Sequence, residues 1–550
     1  MSMDIARSFN AQRLLWAGFF SIFAAGVGFS VRGGILVNWS TEFGFTMADL
    51  GGITGGGLAG FGIIIIIGSL FADNIGYGKL MALAFLMHVV SAGLQLCAGE
   101  IFSRFGKDAT YWTLYIAMFM FAIGNGMCEV VVNPMVAALF PRNKTHYLNI
   151  LHAGWPGGLI AGGLVSYLMN SGSVMGYVMF PQKVHWTIQM SMFLVPTFIY
   201  GVMLLGQNFP TSEASQAGTS FGEMLLQFAS PILLILLLCH ALVGYVELGT
   251  DSWISKITGS IMADPKRGLL LFVYTSGLMF AMRFFAGPIE HAISPLGLLF
   301  VSGLFGAAGL LLLGAAEGVI FCVFAATVYA IGKTFLWPTM LAVASERFPK
   351  GGAIVIGAMG GVGMLSAGFL GGPGIGFKQD YYASKQLKEK EPDVAKAFEA
   401  PEDNSFYGLV HVRGLDGQKV GRLVDKREEL EKAVETAKET KDETKIKQAE
   451  DDLAAWKASA DGNADKVIEE ASLYGGRMAL TLTAAVPAAM AVLYLLLILY
   501  FKLQGGYKRV EITPEVPAAE GAPGFAGKGS DGAHAHGITE KPPHQTGFKD

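Results

Sequence analysis

The chemistry this sequence offers lies in a few polar residues set at helical spacing inside long apolar stretches. The segment Gly124 to Pro141, GNGMCEVVVNPMVAALFP, is a mostly apolar stretch interrupted by Glu129, Asn133 and two prolines. Residues four apart share a helix face, so Glu129 and Asn133 point the same way. A carboxylate at the centre of a lipid-buried helix costs roughly 2.5–3.5 kcal/mol on insertion scales, which marks the pair as a candidate functional site. Glu247 and Asp251 repeat the spacing. Protonating either glutamate would remove the charge that opposes crossing the membrane interior, which is the physical basis of proton symport. A static ion pair of Glu129 with Arg32 or Lys333 is the plainer alternative. Asn133, Asn149 and His152 supply donors and acceptors without fixed charge, which suits hydroxyl-rich ligands. Trp155, Trp253 and Trp337 offer flat faces, although interfacial anchoring is the ordinary role of a membrane Trp. Arg32 and Lys333 would either clamp an anionic substrate or neutralise the glutamates, and both readings stay open here.

These residues need membrane helices to hold them. The 550-residue chain is 52% hydrophobic and only 15% charged, against about 25% charged in soluble domains. A spanning helix takes about 20 mostly apolar residues. That rule gives twelve spans, near 14–37, 48–72, 79–99, 111–140, 147–169, 187–207, 226–250, 268–287, 292–315, 317–345, 352–376 and 476–502. The first is long enough to be a retained helix instead of a signal peptide. The Lys/Arg bias of short loops puts Arg7, Arg13, Lys79, Arg142, Lys144, Arg347 and Lys350 inside, with both termini cytoplasmic; Arg104, Lys107, Lys183, Lys256, Lys266 and Arg267 fall outside. Cys97, Cys128, Cys239 and Cys322 stand singly in apolar runs and read as small core residues. No zinc, nucleophile–base or nucleotide motif is present, so the sequence implies no enzyme, metal, cofactor or nucleic-acid partner. The glycine runs at Gly55-Gly56-Gly57 and Gly157-Gly158 lie inside apolar spans and read as packing faces.

One connection breaks the pattern. Residues 377–475 are dense in Lys, Glu and Asp and are expected as an extracytoplasmic helical insert, either a tolerated insertion or a lid or partner-binding cap. Residues 410–424 suggest a hairpin turning at Asp416-Gly417, and 426–460 one or two solvated helices with a sparse stripe from Leu430 to Trp456. The tail 503–550 reads as disordered; its His534, His536 and His544 read as low complexity.

The chain also repeats itself. Phe121-Ala122-Ile123-Gly124 recurs as Tyr329-Ala330-Ile331-Gly332, and Phe140-Pro141 as Phe348-Pro349 at the same offset. Gly68 to Ala72 is echoed by Gly277 to Ala281. The fourth span therefore matches the tenth, and Trp337 takes the position of Glu129. Two six-helix halves in parallel repeat are the arrangement of major facilitator transporters, with the substrate between the halves. GSLFADNIGYGKL, Gly68 to Leu80, resembles that superfamily's signature loop between its second and third helices. The resemblance implies gating roles for Gly68, Asp73, Gly76 and Lys79, with Asp73 capping a helix of the other half. It implies the same for Arg283, as a degenerate second copy of the loop, and for Glu346 and Arg347 at the inner end of the tenth span. Glu129-x-x-x-Asn133-Pro134, then Leu148-Asn149-x-x-His152, and Glu247 before Ser252-Trp253 resemble the sugar–proton symporters that include fucose permease. His152 stands where that family has Gln, and the first span has Arg32 but no Asp.

The fold expected is thus all-α and polytopic, with bundles at 1–207 and 226–376, a linker at 208–225, the insert, and a last helix at 476–502. The function expected is proton-coupled uptake of a sugar or polyol through a bacterial inner membrane. Glu129 and Glu247 would carry protons, and Asn133, Asn149, His152, Trp337, Arg32 and Lys333 would meet substrate. The alternatives are an organic-anion transporter using Arg32 and Lys333, and a non-transporting receptor working through its insert.

Overall fold

A computed structural model describes residues 10–45, 47–169, 173–174, 177–180, 184–401, 403–440 and 442–512. Arg7, Lys183 and the tail from 513, with its three histidines, lie outside them. The described chain is built of helices: α1 (Ala11–Phe43), α2 (Met47–Ile75), α3 (Tyr77–Leu96), α4 (Ala98–Leu139), α5 (Lys144–His152) and α6 (Gly154–Met169). A two-residue ladder, β1 (Ser173–Val174) with β2 (Tyr177–Val178), precedes α7 (Trp186–Ser191) and α8 (Leu194–Leu204). Two short helices, α9 (Glu213–Gln216) and α10 (Phe221–Leu226), form the linker. Next come α11 (Pro231–Gly244), a wide π-turn at Tyr245–Gly249, α12 (Thr250–Ile261), α13 (Pro265–Arg283), α14 (Ala286–Ile293), α15 (Pro295–Gly314), α16 (Gly318–Lys333), α17 (Leu336–Arg347) and α18 (Gly352–Leu365).

Among the described residues nine helices are long and apolar enough to cross a membrane, or ten when α13 and α14, bent by 65°, count as one span. Twelve were expected. The expected span 48–72 lies on α2, whose apolar stretch among those residues is the shorter Gly60–Ile75. The expected span 147–169 is broken at Ala153 into α5 and α6.

Small residues set the closeness of the packing. Gly154, Gly158 and Gly162 recur every fourth residue on α6 and face the main chain of α1. A Cβ on Gly154 would lie 2.5 Å from the Phe19 carbonyl, and one on Gly162 would lie 2.7 Å from that of Val27. Any side chain there would push the helices apart. In the other half Gly249 meets the backbone of Gly371 in the same way. The repeat is visible in the backbone too: α4 ends at Phe140 with φ −126°, ψ 56°, and α17 ends at Phe348 with φ −126°, ψ 52°, each before its proline.

Both expected boundaries of the insert fall inside helices. After a second π-turn at Ser366–Gly371, α19 (Gly372–Lys390) continues α18, and on the return α23 (Ala460–Thr483) runs almost unbroken into α24 (Ala485–Leu503). Between them lie α20 (Pro392–Ala397), β3 (Asn404–Phe406), β4 (Val410–Val412), α21 (Gly417–Thr440) and α22 (Glu443–Lys457). This cap has its own small core of Leu387, Ala395, Leu423, Ala464, Ile468 and Ala471. The hairpin expected at 410–424 is corrected: β3 pairs with β4 around Tyr407-Gly408-Leu409. Asp416 instead starts α21, its carboxylate accepting from the N–H groups of Gln418 and Lys419 at 2.9 and 3.2 Å. An Asp before Gly serves a helix N-cap as readily as a hairpin turn.

Candidate substrate cavity

Spacing by four puts Asn125, Glu129 and Asn133 on one face of α4. Asn133 Nδ2 donates to Glu129 Oε2 at 2.6 Å, and its Oδ1 accepts from His152 Nε2 at 2.8 Å. His152 ends α5, where the glycine contact of α6 with α1 fixes the chain. Glu129, Asn125 and His152 line a central cavity with Trp155, Glu247, Arg283 and Trp337. Its volume is about 40 Å³, room for about three waters at 10–15 Å³ each.

The far wall comes from the second half. Glu247 lies in the π-turn after α11 and lines the cavity. Arg283 NH2 donates to Glu247 Oε1 at 3.0 Å, its NH1 to the His152 carbonyl at 2.5 Å, and its Nε to the Thr334 carbonyl at 2.9 Å. All three guanidinium nitrogens are thereby engaged. Arg283 was expected as a membrane-edge gating residue. The structure places it in the lining of the cavity, as the last residue of α13 before the bend into α14.

Arg32 and Lys333 do not form a clamp. Lys333 is ion-paired with Asp251, and the Arg32 guanidinium lies over the Phe29 ring, 5.0 Å from its centroid. Neither lines the cavity. Seven residues separate Arg32 from the cavity-lining Ala25, about 10 Å along the helix. No basic group pairs with Glu129 among the described residues, so the static ion pair is absent. Asn149 is buried and donates to the Thr145 carbonyl at 2.8 Å and to Thr339 Oγ1 at 3.3 Å, which joins the two halves outside the cavity. Trp253 donates to the Gly372 carbonyl at 2.7 Å, far from Trp337 in role.

The expected gating residues lie at the face of the molecule to which α4 and α17 run. Gly68 packs on Val130, and Gly76 makes the turn at φ +91°. Asp73 accepts from Ser212 Oγ at 2.6 Å. Ser212 is the N-cap of α9, so the helix Asp73 reaches belongs to the linker and not to the other bundle. Lys79 is exposed. Lys144 is the buried cation here, bonded to Glu213 at 2.6 Å and to the Ser345 carbonyl at 3.2 Å. Glu346 is buried, accepts from Tyr507 at 2.8 Å and is ion-paired with Arg509 at 3.0 Å; Arg347 donates to the Lys508 carbonyl. Residues 507–510 therefore form an ordered strap, which corrects the expectation of a disordered tail from 503. Arg509 also bonds Glu290 at 3.1 Å and the Arg142 carbonyl, so the strap ties both halves together.

Two contributors were missed. Asn125 was legible from its spacing with Glu129. His240, buried against Trp337 with ring centroids 4.5 Å apart, has both ring nitrogens without a partner and carried no signal beyond standing seven residues before Glu247. Cys128, Cys239 and Cys322 are buried and free, and Cys97 is exposed.

Residues 18–372 match the sequence profile of the Major Facilitator Superfamily. No curated protein matches the sequence. Among solved structures the fold resembles the E. coli fucose:proton symporter FucP, at 18% identity and a TM-score of 0.54, covering 68% of this chain and 93% of that one. It resembles the proton:xylose symporter XylE at 13% identity and TM-score 0.55, covering 69% and 90%. A bacterial homologue of the human lysosomal transporter Spinster, in an inward-facing and unoccupied conformation, aligns over 90% of this chain and 98% of its own at 14% identity and TM-score 0.58.

Proposed function

Because this chain belongs to the major facilitator superfamily, and is thus an integral, multi-pass membrane transporter, we propose that it is a symporter taking up a sugar or related polyol with protons. One observation carries the reading: the cavity holds a carboxylate, Glu129, with an amide as its partner and, among the described residues, no cation paired with it. Such a group gains most from taking up a proton when water is excluded. Asn133 and His152 hold it in place and offer uncharged hydrogen bonds, and Trp155 and Trp337 offer apolar faces to the C–H surface of a sugar ring. FucP and XylE, whose folds are similar, are proton symporters of fucose and xylose. Glu247 would be the second proton site, with Arg283 neutralising it when it is ionised.

In this reading α2 and the broken pair α5–α6 also cross the bilayer, giving twelve spans in two six-helix halves. Residues 1–207 rock against 226–376 with 476–502, both termini being cytoplasmic in a bacterial inner membrane. The matched backbone angles at Phe140 and Phe348 support the two halves as repeats.

The test is uptake into proteoliposomes under an imposed pH gradient, with sugars and sugar acids chosen by a thermal-shift screen. Glu129→Gln should lose gradient-driven uptake while keeping exchange of substrate at equilibrium. Uptake with unchanged pH dependence would overturn the role of Glu129. Inhibition by sugar acids alone would overturn the neutral substrate.

A further inference from the structure

The cap carries one apolar feature that its own core does not use. At the tip of the β3–β4 hairpin Tyr407 is 58% exposed, Leu409 80% and Val410 44%, within a run, Phe406 to Val410, that has no charge in an otherwise highly charged segment. The turn is also unusual for one facing water. Aqueous hairpins place Gly or Asn where φ is positive, yet Tyr407 is held at φ 51° ahead of Gly408 at 71°. A bulky residue kept in that conformation points to a role for its side chain.

We propose that Tyr407-Gly408-Leu409 is a membrane-interface anchor, seated at the boundary between headgroups and acyl chains on the face opposite Pro349. The depth follows from the helix that carries it. From Pro349 to Phe369 the chain rises through twenty residues, about 30 Å at 1.5 Å each, which is the thickness of the hydrocarbon core. The Tyr407 hydroxyl donates to the Phe369 carbonyl at 2.6 Å, so the tip is pinned at that level. Phe369 and Leu370 are themselves 48% and 44% exposed on an apolar span and face lipid. The strip therefore continues from the lipid-facing helix onto the hairpin. Phe406 packs beside Phe377, ring centroids 5.8 Å apart, which keeps the hairpin alongside α19. At the same level Trp253 bonds the Gly372 carbonyl with Lys256 5.6 Å above its ring, an amphipathic aromatic and a long cation of the kind found at membrane interfaces. The partner of the tip is the bilayer itself.

The experiment uses the full chain in phosphatidylcholine liposomes. A nitroxide is placed at Leu409→Cys in a Cys97→Ser background, and at Lys432→Cys on the solvated α21 as the reference. Collision with oxygen, which enters lipid, is compared with collision with nickel–EDDA, which stays in water. The proposal expects an oxygen-to-nickel ratio several-fold higher at 409 than at 432, with Val410→Cys giving the same sign. A ratio at 409 equal to that at 432 would overturn it, and so would a site shielded from both reagents, which would mean that protein covers the tip.

Discussion

Arg283, from the second half of the molecule, donates to the main-chain carbonyl of His152, in the first, at 2.5 Å. A single guanidinium thus binds the carboxylate of Glu247 and the backbone behind His152 together. Arg283→Leu would leave Glu247 buried without its cation, and loss of one partner of a buried pair costs roughly 3–5 kcal/mol. The double variant Arg283→Leu/Glu247→Leu should recover most of the thermal stability lost by the single one while still failing to transport. Detergent melting curves for the two variants check this.

His152 stands where the resembling sugar symporters have glutamine. Its Nε2 donates to Asn133 Oδ1, and a glutamine amide makes the same bond. His152→Gln should therefore keep substrate binding near the parent value. His152→Ala, which strands the Asn133 oxygen, should raise KM about fivefold, equivalent to about 1 kcal/mol. Uptake kinetics at saturating proton gradient separate the two.

The strap at 507–510 predicts a change at one face only. Arg509→Ala removes the shared cation of Glu290 and Glu346 and the bond to the Arg142 carbonyl. Hydrogen exchange should quicken at residues 140–147 and 286–293 by about tenfold, as for about 1.4 kcal/mol of lost local stability. Exchange in the cap should not change.

The cap's response to acid follows from Glu399. Its hydrogen bond from Lys388 at 2.8 Å, with the charges of Lys388 and Arg413, holds its carboxyl below the ordinary value of 4.5. A depressed folded-state value gives stability that is present above the unfolded value and lost as pH falls through the folded one. Protection of the cap amides should be flat from pH 8 to 6 and weaken below about 4.5, and Glu399→Gln should abolish that acid-dependent part. Exchange measured at pH 6 and pH 4 checks the slope.

The apolar lengths and the four-residue spacing of Glu129 with Asn133 were legible because both are local. What failed was set by tertiary contact. Lys333 and Asp251 stand 82 residues apart and meet only when α12 and α16 pack, so no spacing rule warned that the cation was already taken. Arg283 was read as part of a degenerate loop copy because the expected span 268–287 ran past the bend that follows α13. The break at Ala153 coincides with Pro156, which has no N–H for the His152 carbonyl, and with the close approach of Gly154 to α1; the length rule for spans took no account of the proline. The hairpin was displaced because Tyr407-Gly408-Leu409 lacks the usual turn residues while Asp416-Gly417, which has them, caps a helix.

The strap has a consequence for the order of synthesis. Glu290 on α14, Glu346 on α17 and the Arg142 carbonyl after α4 lie far apart in the chain, and all three await the same side chain, that of Arg509. Until translation has passed that residue and α24 has been inserted, every other helix can be in the bilayer while this face still lacks the Arg509 tie.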